Sequence, residues 1–369
     1  MMLRSRAVAI FGCHSNNYAT NALTNCKLKS NASDTSEIIG LMFPGQGSQQ
    51  VGMGVDLYSN PFGKDVFDQV DEALGEKLSE LMFRGDPLEL QKTSNAQPAI
   101  LAHSMAILAV AESILPKKFL QQTQLFMGHS LGEFTAACAA GCLTLPDAVR
   151  LVRARGKTME EAAAKNLENV SMVAMMPLGL EKAFELCSAV EWDDSVEDGG
   201  VCQVANWNAE NQVVLSGTKC AVECAVALGK TDFKVRRAVP LNVSAPFHCT
   251  LMTPAEQTIE KLLPLDLPNP TAPIVMNIDG SARETWPEIR QGLVDQTCST
   301  VMWVTCAKTA VEGLTNLESE NDNTSVTMYE LGPGSTLSSL MRRTAPKHWT
   351  VTSLATAENV EQLLKTSDS

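Results

Sequence analysis

Ser130 stands in Gly128-His129-Ser130-Leu131-Gly132, the Gly-x-Ser-x-Gly spacing of a sharp strand-to-helix elbow that pushes a serine hydroxyl into the open. The same five residues also suit a tight turn with no chemistry. A hydroxyl attacks only when a base takes its proton, and histidine is the usual base. Five histidines are present. His14 belongs to an N-terminal leader, His103 to the apolar run "AILAHSMAILAV" where a packed core imidazole is expected, and His348 lies beside Lys347 near the end of the chain. His129 adjoins the serine, but neighbouring side chains at an elbow diverge. Elimination leaves His248, in "NVSAPFHC" after Pro246, as the base, with a structural histidine as the competing reading.

A second chemical signal is a cation in an apolar place. From Thr144 a helix is expected, with Thr144 as its cap, Pro146 in the first turn and Asp147 returning the capping bond. At about 100° per residue, Ala148, Leu151, Val152, Met159 and Ala162 gather on one face. Arg155 falls in the middle of that face. Arg150, Arg153, Lys157, Glu160 and Glu161 fall opposite, where solvated charges belong. A buried guanidinium without a partner is costly, so Arg155 meets either an internal Asp or Glu or an anion received in a cleft. Its planar fork matches a carboxylate, which makes a free carboxylate on a substrate an attractive partner.

These residues need elements to hold them. The apolar run Leu125-Phe126-Met127 before Ser130 reads as a strand, and Ala136 to Ala140 after it as a closely packed helix that Gly141 stops. Folding is expected to begin at Ile38–Phe43, a strand running into "PGQGSQQVGMG". That loop is not a dinucleotide fingerprint, because Gln50 stands where the third glycine belongs. Likewise, Gly229-Lys230-Thr231 is no phosphate loop, because position 224 is Cys224. Amides of the Gly45 loop can still point at a ligand. Helical patterns at about 64–83, 97–115, 131–140 and 144–165 alternate with strand-like runs at 172–175, 201–204 and 213–215, which implies an α/β protein. Residues 164–236 read as strand, helix, the acidic loop "EWDDSVEDGG", two strands and a helix, the content of a small α+β subdomain inserted in a larger one.

The chain of 369 residues has room for one large and one smaller unit, and no apolar run is read as reaching the ~20 residues of a membrane span. A formal charge of −13 argues against general nucleic-acid binding. Eleven cysteines include no Cys-x-x-Cys pair, so packed, reduced thiols are expected rather than zinc ligands or disulfides. Residues 1–36 carry Arg4, Arg6, Lys27 and Lys29 with no acid until Asp34 and are rich in Ser, Asn and Ala. This is the composition of an organelle transit peptide, mitochondrial in the first reading and plastid in the second.

Six blocks in order, "FPGQGSQQVGMG", "GHSLGEFTAACAAG", "RARGKTMEEA", "VANWNAENQVVLSG", "NVSAPFHC" and "YELGPGSTL", resemble the malonyl-CoA:acyl carrier protein transacylases over about 38–355. The resemblance implies an α/β-hydrolase-like large domain, 37–163 and 237–369, with an inserted ferredoxin-like subdomain at 164–236. It implies Ser130 as the acylated nucleophile, His248 as its base and Arg155 as the clamp on the malonyl carboxylate. Backbone amides of Gln46 and Leu131 would form the oxyanion hole, the backbone carbonyl of Gln296 would orient the histidine, and Asn206 and Asn208 would line the cleft. Phe247 matches members that take malonyl and disfavour methylmalonyl. Malonyl-CoA and acyl carrier protein are the implied partners of a monomeric S-malonyltransferase of type II fatty acid synthesis in the mitochondrial matrix, with no cofactor and no metal. Three other readings stay open: a serine esterase or thioesterase, a silent scaffold that only binds carrier protein, and a stand-alone loader for polyketide synthesis that differs only in the carrier it serves. Arg236, Arg237, Arg342 and Arg343 are the local positives an acidic carrier would need.

Overall fold

The computed structural model describes residues 37–115, 119–164, 170–191, 193, 196, 200–320 and 324–367. The expected transit peptide, His14 and most of the acidic loop lie outside the described residues. In chain order the strands are β1 (Glu37–Phe43), β2 (Thr123–Gly128), β3 (Val170–Met176), β4 (Cys202–Ala209), β5 (Gln212–Thr218), β6 (Arg237–Pro240), β7 (Ile274–Val275), β8 (Ala282–Arg283), β9 (Ser325–Leu331) and β10 (Thr350–Leu354). The helices that matter to the site are α1 (Pro61–Leu74), α2 (Leu78–Arg84), α3 (Thr93–Ile114), α4 (Leu131–Ala139), α5 (Leu145–Ala164), α6 (Leu180–Glu191), α7 (Lys219–Thr231), α8 (Thr253–Leu262) and α9 (Trp303–Glu320).

The large sheet has the order β10-β9-β1-β2-β7-β8, parallel except for β8. Its central strands read as unbroken apolar runs because helices cover both faces. Ile39, Leu41, Phe43 and Phe126 enter one core, whereas Ile38, Met42, Leu125 and Met127 enter the other, the period-2 alternation of a pleated strand. The small sheet, β4-β5-β3-β6, is wholly antiparallel, and α6 and α7 cover one face. Strand, helix, two strands, helix, strand in this order is the ferredoxin-like arrangement, set beside a parallel α/β sheet as expected. Its last strand pairs Arg237–Pro240 with β3, so the small sheet runs past the expected limit at 236.

Three expectations need correction. The helical pattern at 64–83 is two helices, α1 and α2, because Gly75 caps α1 in the left-handed region at φ 66°. Arg153 is not a solvated charge: it is 8% exposed, and its guanidinium bonds Asn95 and Glu76. The reason is that α5 packs on α3, α1 and α8 at once, leaving little of its surface free. Finally, α3 does reach the length and mean hydropathy, 1.3, of a membrane-crossing helix. It is a core helix, packed among α1, α4, α5 and β9.

Candidate active site

β2 ends at Gly128 and α4 begins at Leu131, so the chain reverses within two residues. Ser130 takes φ 54° and ψ −106°, a conformation that a non-glycine residue keeps only when its surroundings over-determine it. Both flanking glycines are needed for space. A Cβ on Gly128 would lie 2.0 Å from the Gly132 carbonyl carbon, and one on Gly132 would lie 2.0 Å from Phe43 O at the end of β1. The elbow is therefore wedged between β1 and the first turn of α4.

His248 also has a positive φ, 59°, and is 3% exposed. Its Nδ1 donates to Gln296 O at 2.9 Å, which leaves Nε2 as the acceptor that faces Ser130 Oγ at 2.8 Å. Burial first, and the Arg155 charge second, push this imidazole down to about 3, so it is neutral at pH 7 and able to take a proton. His129 points elsewhere, with its Nε2 2.8 Å from Asn208 Oδ1 and its ring 5.7 Å from that of Trp303. His103 is a buried core residue whose imidazole burial pushes down to about 4.

Arg155, 1% exposed, reaches Ser130 Oγ with Nη2 at 3.4 Å and Gln97 Oε1 with Nη1 at 2.9 Å. Its guanidinium carbon is 5.2 Å from the centre of the Phe134 ring. Burial lowers it to about 10, still a cation at pH 7. Among the described residues no carboxylate lies within salt-bridge distance of it. The nearest acidic influence is Glu133, whose carboxyl burial holds well above the usual range. Of the two readings of Arg155, the geometry favours a cation kept for an anion that enters from outside.

The remaining expected residues surround this trio. Gln46 sits in the loop after β1, its Nε2 donating to Thr93 Oγ1 at 3.2 Å, and Leu131 supplies the first amide of α4, which has no intrahelical acceptor. Gln296 contributes more than its carbonyl, because its Nε2 donates to Ser130 O at 3.0 Å. Phe247 packs between α5 and the small sheet. Asn206 is buried on β4, while Asn208 lines a pocket of about 170 Å³ with Trp303 and Arg343. Arg236, Arg237, Arg342 and Arg343 are all exposed, and Arg342 also donates Nη2–H to Val351 O at 2.6 Å.

Sequence reasoning did not find Gln97, Phe134, Glu133 or Asn277. Glu133 had a faint signal, an acid in an otherwise apolar helix; Asn277, in "VMNIDG", had none. The nine described cysteines form no disulfide.

The acyl transferase domain family model matches residues 41–365. Malonyl CoA-acyl carrier protein transacylase of Bacillus subtilis is 36% identical over 332 residues, covering 89% of this chain and 96% of that one. Among solved structures, the acyl-carrier-protein-S-malonyltransferase of Bartonella henselae superposes with a TM-score of 0.76 at 35% identity, over 90% of this chain and all of that one. A malonyl-transacylase solved with its type II polyketide acyl-carrier protein gives a TM-score of 0.76 at 31% identity, covering 89% of this chain and all of that one.

Proposed function

This chain belongs to the acyl transferase family, and from that premise we propose that it transfers malonyl from coenzyme A to the phosphopantetheine thiol of acyl carrier protein through an ester on Ser130. One observation carries the reading: Arg155, buried and without an internal carboxylate partner, stands 3.4 Å from the same Oγ that His248 Nε2 meets at 2.8 Å.

In the first half-reaction Ser130 Oγ gives its proton to His248 Nε2 and attacks the thioester carbon. The carbon–sulfur bond breaks and the leaving thiolate takes the proton from His248. In the second, the carrier thiol gives its proton to His248, its sulfur attacks the serine ester, and Ser130 recovers the proton as the carbon–oxygen bond breaks. Each tetrahedral oxyanion is received by the amides of Gln46 and Leu131. The Gln296 carbonyl holds Nδ1–H, the part an Asp plays in other serine enzymes. Arg155 clamps the free carboxylate and selects a dicarboxylic acyl group. Phe247 leaves little room for an α-methyl branch, and Asn206 and Asn208 border the path of the arm. The cycle closes without a cofactor or metal. Exposed Arg236, Arg237 and Arg343 form the landing for an acidic carrier, with the protein acting as a monomer. The basic, acid-poor leader supports type II fatty acid synthesis in the mitochondrial matrix, with a plastid as the alternative address.

The test is to weigh the protein after malonyl-CoA alone and again after adding holo-carrier. The expected result is one malonyl group on the Ser130 peptide, then its appearance on the carrier thiol. An unmodified Ser130, or free malonate in place of malonyl-carrier, rejects the proposal.

A further inference from the structure

Ser130 is gripped by its peptide as well as its hydroxyl. Its N–H donates to Asn277 Oδ1 at 2.7 Å, while its C=O accepts from Gln296 Nε2 at 3.0 Å. Asn277 makes a second bond on the other side of the turn, Nδ2 donating to Gly128 O at 2.7 Å. One carboxamide thus spans the two residues between which the backbone must reverse.

Asn277 is itself immobilised. It is fully buried, its C=O accepts from Met302 N at 2.8 Å, and its N–H donates to Glu133 Oε1. Glu133 lies in the first turn of α4, where its own N–H donates to Ser130 O at 3.1 Å. The contacts therefore form a closed ring from Ser130 to Asn277 to Glu133 and back to Ser130. A carboxamide offers what the elbow needs at that point, an acceptor for one peptide and, on a separate atom, a donor for the other. The ring also explains the buried acid: Glu133 Oε1 serves Asn277 N–H, and burial pushes its carboxyl up from the usual range.

We propose that Asn277 is a positioning residue for acyl transfer: its carboxamide clamps Ser130 N–H to Gly128 C=O, and Glu133 fixes Asn277, so that Oγ is held in line with His248 Nε2. This rests on the reading of Ser130 as the acylated nucleophile. It acts on the chemical step and leaves the carboxylate clamp alone, so its signature is a loss of rate without a loss of binding.

The experiment is quenched-flow measurement of malonyl transfer from malonyl-CoA onto Ser130 in the wild type, Asn277→Ala, Asn277→Asp, Glu133→Ala and Glu133→Gln, each with its melting curve. In Asn277→Ala the acylation rate is expected to fall by about 100-fold, the scale of a misplaced reacting group, with half-saturation by malonyl-CoA within about threefold of wild type. Asn277→Asp keeps the acceptor for Ser130 N–H and loses the donor to Gly128 O, so an intermediate rate is expected, and it decides the matter if the alanine variant does not fold. Glu133→Gln, which preserves an oxygen for Asn277 N–H, is expected to recover most of the rate that Glu133→Ala loses. A folded Asn277 variant acylated at the wild-type rate overturns the clamp, as does a loss seen only in half-saturation; equal losses in the two Glu133 variants overturn the part given to Glu133. Failure of the wild type itself to acylate Ser130 would refute the proposed function instead.

Discussion

The two sheets of this protein bury different things. Around the end of β2, Glu133, Arg155, His248, Asn277 and Gln296 are all nearly or wholly buried, and two non-glycine residues, Ser130 and His248, hold positive φ. In the small antiparallel subdomain the interior is apolar, built on Val173, Met175, Leu186, Val204, Val213 and Leu215; between 170 and 240 only Asn206 and Ser216 are buried polar residues among those described. An apolar interior is held by area and shape, and it tolerates local change at a cost in stability. A polar interior is held by mutual hydrogen bonds in a low-dielectric setting, where each group is costly once its partner goes. The difference teaches where the groups able to do chemistry are gathered: at the end of the large sheet, beside a small sheet whose interior is held by apolar packing.

Several substitutions would break or sharpen that contrast. Ser130→Ala is expected to lower malonyl transfer by about 10⁴-fold or more with an unchanged or higher unfolding midpoint, checked by transfer assays and denaturant melts. Arg155→Ala should cost about 10²–10³-fold with malonyl-CoA while sparing or raising hydrolysis of uncharged acyl thioesters, the scale for removing one member of a buried ionic contact. An equal loss with both thioesters would deny Arg155 its part in selection. Leu215→Ala, in the small core, is expected to lower stability by about 2–5 kcal/mol, read by urea unfolding, while each folded molecule acylates at nearly the wild-type rate. A collapse of chemistry there would erase the division between the regions.

Acid supplies a gentler probe. His103 and His248 are pushed down to about 4 and about 3 from 6.5, so between those values and 6.5 the unfolded chain binds protons that the folded one refuses. Their contribution to stability is complete above pH 6.5 and is lost as pH falls toward the folded values, at up to about 1.4 kcal/mol per unit for each. Glu133, held above 4.5, works in the opposite sense, losing its contribution as pH rises through its folded value. No histidine lies between 170 and 240, so hydrogen exchange at pH 5 should loosen the large domain before the small one. His103→Gln should flatten the slope by about one proton.

Much of this site was legible in the chain because its signals are local. Gly-x-Ser-x-Gly constrains a turn of five residues, and the burial of Arg155 follows from its place among Ala148, Leu151, Val152 and Met159 on one face of α5. The same helix shows where such reasoning stops. Arg153 lies two residues away on what reads as the wet face, yet it is buried against Glu76 and Asn95, because α5 has neighbours on several sides and a single-helix pattern assumes one. Asn277 was invisible for a related reason: an asparagine before "IDG" looks like a turn residue, and nothing within reach along the chain says that its carboxamide will meet a serine 147 positions away.

By itself, the sequence determined the elements and their local geometry: the apolar alternation of β1, the glycines at the elbow, the stop at Gly141 and a cation on an apolar helical face. Steric limits on φ and ψ and the periods of helix and strand act over a few residues, so they can be read from a few residues. Only the tertiary structure decided the contacts that no local signal carries: the Gln296 amide on Ser130 O, Asn277 under the elbow, and Glu133 turned toward Asn277 rather than toward Arg155. Those choices depend on how β2, β7, α4 and α5 pack, because the stability of a buried polar group is set by the atoms that surround it in space and not by its neighbours in the chain.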